Sequence, residues 1–356
     1  MSDLNYQIYD TDTLLGVLYD KEAMEPAGAY WRSMFPNSQM FDTEWIDFDV
    51  VSGMRKVAPL VTPMAEGRPI MNRAETLKRV KPAYIKVTDP VNHTRVIRKH
   101  AGLGEVAPST RPLSPRERYN AIVVDILREH RKAVEWRWET MAFEAVSDGK
   151  LVLEDDGYPR TEVDFGRDPA NTIVKAAGSR WGDAGVDILR DIEDMVNIVR
   201  KAKGGGNVNR ITLGANAFDR LRSDDKIREM MNLNYRNNRS NGVDIYTGVA
   251  SAEDVKYVGT IAEGIDLYVY RGYIHDPDGN PVDLMNPNDI IMTAPSFGGI
   301  MCYGAILDKR ANWRGLPIFP KMYDDEKTGT TIVQTASAPL PVPVNPNATL
   351  KATVTA

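Results

Sequence analysis

A chain of 356 residues exceeds one typical domain and has room for a substantial core, as two modest domains or as one with long extensions. With 42% apolar and 26% charged residues it has the composition of an ordinary globular protein, far from that of a disordered or membrane chain. The net charge of −5 is unevenly spread: Arg68 to Lys99 holds nine Lys or Arg against Glu75 and Asp89, a local +7 that leaves −12 elsewhere. A basic segment beside an acidic body can steer association between copies or bind nucleic acid. No apolar run reaches the roughly 18 residues that a membrane span needs. The start, MSDLNYQIYD, is neither basic nor apolar, so no signal peptide is expected and the chain is expected to stay in the cytosol.

Residues 1–41 scatter apolar side chains (Tyr6, Ile8, Tyr9, Leu14, Leu15, Trp31, Met34, Phe35) without a sustained period, as in an arm that needs another surface to lie on. Trp45, Ile46, Phe48 and Val50 then mark a strand, and after the turn-rich stretch from Val61 to Pro82 the run Ala83 to Asp89 reads as the returning strand of a long basic hairpin. Ser114, Pro115 and Glu117 form a capping box with proline at the first helical position. Ile122, Val123, Ile126, Leu127, Ala133, Val134, Trp138, Met141, Ala142 and Ala145 follow as one apolar stripe, so a single helix is predicted from Ser114 to Val146. At about 1.5 Å per residue it forms a rod of roughly 50 Å, long enough to act as a spine. KLVLED (Lys150 to Asp155) and RTEVDFG (Arg160 to Gly166) predict a second hairpin.

From Trp181 to Ser296 a compact α/β unit is predicted. It opens with an amphipathic helix that has Asp183 as candidate N-cap, Lys201 and Lys203 in the last turn and Gly204 to Gly206 as its stop. Strands at VNRITLG, GIDLYVYRG and NDIIMTAP follow, with short helices at ANAFDRL and DDKIREMMN. In the last sixty or so residues, prolines 339, 341, 343 and 346 confine the chain to an edge or extended stretch.

Chemistry-bearing patterns are sparse. His93, His100, His130 and His275 lie far apart, with no partner at metal-ligand spacing, so no metal or cofactor is expected. Serine-hydrolase and phosphate-loop motifs are missing, and GLGEVA (Gly102 to Ala107) lacks the strand and helix that a dinucleotide fingerprint requires. The acids Glu154, Asp155, Asp156, Glu162, Asp164 and Asp168 read as hairpin and turn residues rather than catalytic carboxylates. Cys302 reads as a buried thiol on a strand. No catalytic constellation is expected, and a nucleic-acid-binding module built on the basic hairpin is the binding alternative.

The order of arm, basic hairpin, long helix, α/β unit and returning tail resembles the tailed-bacteriophage major capsid proteins of the lambda head-shell type, a branch of the Hong Kong 97-like fold. The stretches that carry the resemblance are TEVDFGR (Thr161 to Arg167), CYGAILDKRANWRG (Cys302 to Gly315), FPKMYDD (Phe319 to Asp325) and the ending from Ile332 to Val354. It implies an α+β fold: an N-terminal arm (1–41), an extended E-loop (42–95), a peripheral domain (96–180) with the spine helix, an axial domain (181–296), and a tail (297–356) that returns to the peripheral domain.

The implied function is self-assembly into hexamers and pentamers of an icosahedral virion shell around double-stranded DNA, built in the host cytoplasm. The implied partners are further copies of the chain, a portal, a separate scaffold protein because no scaffold-like helical extension is visible, and optionally a decoration or cement protein. An encapsulin-like compartment enclosing a cargo enzyme is the alternative within the same fold. On this reading Glu66, Arg68, Arg73, Lys78 and Arg79 lie at the E-loop tip and make inter-subunit contacts, the four basic residues meeting acidic patches of neighbours, and Tyr6, Tyr9, Leu14, Leu15 and Trp31 of the arm add inter-subunit area.

Overall fold

The structure, a computed structural model, describes residues 8–19, 28, 30–52, 74–91, 115–155, 158–224, 226–227, 254–261, 264–276, 278–326 and 329–356. The arm, expected to lack regular structure, contains a helix, α1 (Thr11–Tyr19), with Leu14 and Leu18 one turn apart on its buried side. Nine residues are too few for a stable isolated helix, so α1 depends on the body it lies against. A second short helix, α2 (Tyr30–Met34), and a strand, β1 (Asn37–Met40), follow.

The hairpin consists of β2 (Ile46–Ser52) and β3 (Ala74–Val80), antiparallel with Ile46 opposite Val80. This corrects the expectation that Ala83 to Asp89 is the returning strand. Most of that stretch belongs to β4 (Ile85–Val91), which pairs with a strand of the tail instead. Pro82 gives the physical reason: without an N–H it cannot extend the β3 ladder. There the chain re-enters the body, where a Cβ on Gly304 would meet the Pro82 ring at 2.6 Å.

The long helix, α3 (Pro115–Ser147), spans 33 residues, within one residue of its predicted bounds at each end. Of its predicted stripe only Ala133 is exposed. The Ser114 cap lies outside the described residues. β5 (Lys150–Asp155) and β6 (Tyr158–Asp164) form the second hairpin as expected, and β7 (Thr172–Val174) follows. The next helix, α4 (Ile188–Lys201), is capped by Asp187, which accepts the Arg190 N–H, and not by Asp183. Asp183 instead accepts the N–H groups of Gly178 and Arg180 and closes the preceding turn. Lys203 falls beyond the Ala202 cap. The glycine stop is steric at Gly205, where a Cβ would lie 1.9 Å from the Val199 carbonyl oxygen.

β8 (Arg210–Leu213), α5 (Ala215–Ser223), β9 (Val255–Ile261) and β10 (Ile265–Tyr270) continue the α/β unit. Most of DDKIREMMN lies outside the described residues. A small hairpin of β11 (Tyr273–His275) and β12 (Pro281–Asp283) leads to β13 (Asp289–Thr293) and β14 (Ile300–Tyr303). The tail adds β15 (Phe319–Asp325), β16 (Thr330–Ser337), β17 (Pro339–Val342) and β18 (Thr349–Thr353).

The principal sheet has six strands in the order β7-β18-β13-β8-β10-β9, so it borrows β7 and β18 from outside the predicted Trp181 to Ser296 unit. Its second strand, β18, comes from the tail, and β16, β17 and β18 all pack on α3. The prolines of β17 keep it at the edge of the sheet β1-β14-β17, as expected. β4 joins β16 and β15 in a third sheet. A continuous core runs from Leu14 to Val354 with α3 through it, and a smaller cluster of Ile306, Ala311, Phe319, Ala336 and Ala338 lies apart from it.

Candidate assembly surface

The basic hairpin is fixed to the body at its root. Ile46 is buried, and Phe48, also buried, meets the ring of Phe165 at 6.0 Å. Asp47 and Arg79 stand directly opposite across the two strands, and the guanidinium grips the carboxylate with two hydrogen bonds, Nε to Oδ1 at 2.6 Å and Nη2 to Oδ2 at 2.9 Å. That fork holds the Asp47 carboxyl below the usual range. Lys81 binds Glu44 at 2.6 Å, and the Lys78 ammonium donates to the backbone carbonyl of Asp164. Lys78 and Arg79 are therefore root residues engaged within their own chain, which corrects their assignment to the hairpin tip. Glu66, Arg68 and Arg73 lie outside the described residues.

The arm finds its surface on its own chain. Leu14 is 2% exposed on α1, which packs against α3 and β15. Tyr9 donates its hydroxyl to Asn120 at 2.6 Å, and Trp31 packs edge-to-face on Trp138 at 5.2 Å. Leu15 is half-buried and Tyr6 lies outside the described residues. Leu14, already buried in its own body, has no area left for a neighbour, so the expectation that it adds inter-subunit area is corrected.

Sequence reasoning missed the carboxylates that hold the arm. Glu135 of α3 accepts from Arg32 and Arg131, both at 2.9 Å. Glu139, one turn on and fully buried, accepts the backbone N–H groups of Tyr30 and Trp31 at 3.1 and 2.9 Å, the orphan donors at the start of α2. It also accepts the Tyr270 hydroxyl at 3.0 Å, and burial raises its carboxyl above the ordinary glutamate range. The available signal is two Glu residues four apart inside an apolar stripe.

Beside the hairpin root, the loop from Ala305 to Gly315 closes on itself through a bridge between those two residues. It is bonded to the chain entering the hairpin by Ala305 N–H to Thr43 O at 3.2 Å and Gly315 N–H to Asp42 Oδ1 at 2.9 Å. Lys321 binds Asp308 at 2.6 Å, and the Arg310 guanidinium donates to Met322 O at 2.8 Å. On this braced frame Leu307 is 55% and Trp313 57% exposed, and Met40 (54%) and Trp45 (48%) flank the bonded residues Asp42 and Thr43.

The remaining polar clusters are structural. His130 bridges Thr335 Oγ1 at 3.0 Å and Asp89 Oδ2 at 2.9 Å, joining α3 to β16 and β4. Of the acids near the second hairpin, Glu154 faces Arg160 at 3.7 Å, Asp155 pairs with Arg137, Glu162 with Lys150 at 3.2 Å, and Asp168 caps a turn by accepting the Ala170 N–H; Asp156 lies outside the described residues. Cys302 is buried on β14, where burial pushes its thiol up to about 12. Among the described residues no group of three or more His, Cys, Asp or Glu could hold a metal ion.

Known proteins match nearly the whole chain. The chain is 25% identical over 347 residues to the P21 prophage-derived major head protein of Escherichia coli O6:H1 strain CFT073, covering 96% of this chain and 97% of that one. It is 24% identical over 348 residues to the major capsid protein of Escherichia phage lambda, with the same coverage. A crystal structure described as the capsid protein of an E. coli CFT073 prophage superimposes with a TM-score of 0.71 at 24% identity, over 98% of this chain and 99% of that chain. The α+β fold is thus that of a Hong Kong 97-like phage capsid protein. The family model for phage major capsid protein E matches residues 10–354, and the chain belongs to that family of structural capsid proteins.

Proposed function

We propose that this protein is the shell subunit of a phage head, assembling as hexamers and pentamers into an icosahedral virion shell that encloses double-stranded DNA. The family match across residues 10–354 carries the reading. The hairpin gives it a physical basis: a two-stranded ribbon is marginal alone, and this one is anchored at its root. Heterologous contacts from such a ribbon to the next subunit close rings, and curvature closes the array. Arg68 and Arg73 supply basic contacts to acidic neighbours, each modest, so repetition over the shell carries the stability. A portal and a separate scaffold protein are the expected partners, assembly takes place in the host cytoplasm, and the lumen wall is neutral or acidic so that DNA is not held tightly.

The test is expression with and without the neighbouring genes, followed by sedimentation and electron microscopy, then nuclease treatment of purified particles. Closed particles that protect double-stranded DNA support the reading. Particles holding a cargo enzyme and no DNA point to a protein compartment, and soluble single chains under every condition overturn the shell reading.

A further inference from the structure

We infer that Trp313, with Leu307 and Trp45, forms an apolar contact site on the braced loop beside the hairpin root, and that a second copy of this chain covers it. The inference rests on the shell reading and deepens it by naming a contact. Asn312 and Trp313 both have positive φ, at 52° and 54°. Asn tolerates that region, but a bulky residue such as Trp there is an outlier that persists only where the surroundings enforce it.

Here the enforcing contacts are visible. Ile306 and Ala311 are buried in the small core under the loop, the Asn312 N–H returns to the Lys309 carbonyl at 3.2 Å, and the Arg314 N–H returns to Ala311 at 3.1 Å. The loop is thus well packed inside yet displays its largest apolar side chain to solvent. Leu307 lies two residues from Ala305, Trp313 two from Gly315 and Trp45 two from Thr43, and these three backbone positions are joined by the bridge and hydrogen bond already described. Half-exposed aromatics gathered on a rigid frame are the usual anchors of protein contacts.

A second copy is the occupant that the charges favour. Lys309, Arg310 and Arg314 are exposed around the patch, and Asp308, the loop's acid, is engaged by Lys321. The chain outside Arg68 to Lys99 carries −12, so another copy offers an acidic body to this basic rim. Trp45 also directly precedes β2, which makes the patch continuous with the hairpin that the shell reading places between subunits.

The experiment compares the wild type, Trp313→Gly and Asn312→Gly under the conditions that yield particles, with hydroxyl-radical footprinting of Trp313 in wild-type particles and in unassembled protein. Glycine suits φ near 54°, so unassembled Trp313→Gly unfolds at the same temperature as wild type or higher, while its assembled fraction falls about ten-fold, as truncation of an anchoring aromatic does. Asn312→Gly, which keeps the indole, assembles like wild type. In wild-type particles Trp313 is protected from oxidation relative to unassembled protein, a readout that holds even where the glycine variant fails to fold. Normal assembly of Trp313→Gly, equal oxidation in both states, or protection that requires a different protein overturns the inference. If wild type forms no particles at all, the shell reading fails and this contact falls with it; particles with an oxidisable Trp313 defeat this contact alone.

Discussion

Glu139 and Tyr270 meet at 3.0 Å inside the protein and tie the middle of α3 to β10 of the six-stranded sheet, while the same carboxylate caps α2 through Tyr30 and Trp31. Removing it leaves three donors, two of them fully buried, without this acceptor. Glu139→Ala is expected to lower stability by about 3 kcal/mol, read as a shift of the urea midpoint. An unchanged midpoint would mean that these bonds do not hold the arm.

The same group sets a pH dependence. Burial raises the Glu139 carboxyl in the folded state, so its contribution is fully present below the ordinary glutamate value of about 4.3 and is lost as pH rises through the folded value. Measured against Glu139→Gln, wild type is expected to lose relative stability as pH rises from about 4 towards neutrality. A difference that stays flat, or widens in favour of wild type with rising pH, counts against this.

The hairpin root depends on Phe48 against Phe165, both buried. Phe48→Ala opens a cavity there and is expected to cost about 3 kcal/mol in denaturant unfolding, with amide exchange rising first at the root of β2 and β3. Uniform loss of protection over the whole molecule would show that the root is not a local anchor.

Asp47 and Arg79 are exposed, so their pair contributes register more than stability. Asp47→Arg places like charges opposite each other and is expected to speed amide exchange across Ile46 to Val80. Adding Arg79→Asp restores opposite charges and with them the protection. If the double variant exchanges as fast as the single one, the cross-strand pairing does not set the register.

Cys302 is the only cysteine, and burial pushes its thiol up to about 12. A thiol reagent at pH 8 is expected to leave folded protein unlabelled and to modify one thiol per chain in denaturant. Rapid labelling of native protein would show that β14 is accessible.

Much of the architecture was legible because it repeats or is punctuated. Pro115, Glu117 and the stripe from Ile122 to Ala145 fixed α3 to within one residue, since many positions vote for one period. α1 offered only Leu14 and Leu18 on its buried side, too few to separate a helix from scatter. The partner of β2 is hard to read from the sequence because the β3 sequence, AETLKRV, is mostly polar, whereas the more strand-like stretch at Ala83 belongs to another sheet. Asp183 looked like a cap by composition, yet Asp187 does the capping, because helix entry is set by backbone geometry that composition does not encode. Glu139 was hidden for a related reason: a carboxylate in an apolar stripe reads as an exposed position until the donors from Tyr30, Trp31 and Tyr270 are seen around it. The positive φ of Trp313 leaves no mark in the sequence.

The central claim is that this chain completes its structure in a shell of its own copies, with the hairpin reaching beyond its own body. Cryo-electron microscopy of purified particles tests it most directly, by tracing the ribbon from Ile46 and Val80 outward. The account predicts a closed shell in which that ribbon lies across a neighbouring copy. A ribbon folded back on its own chain, touching no neighbour, would contradict it.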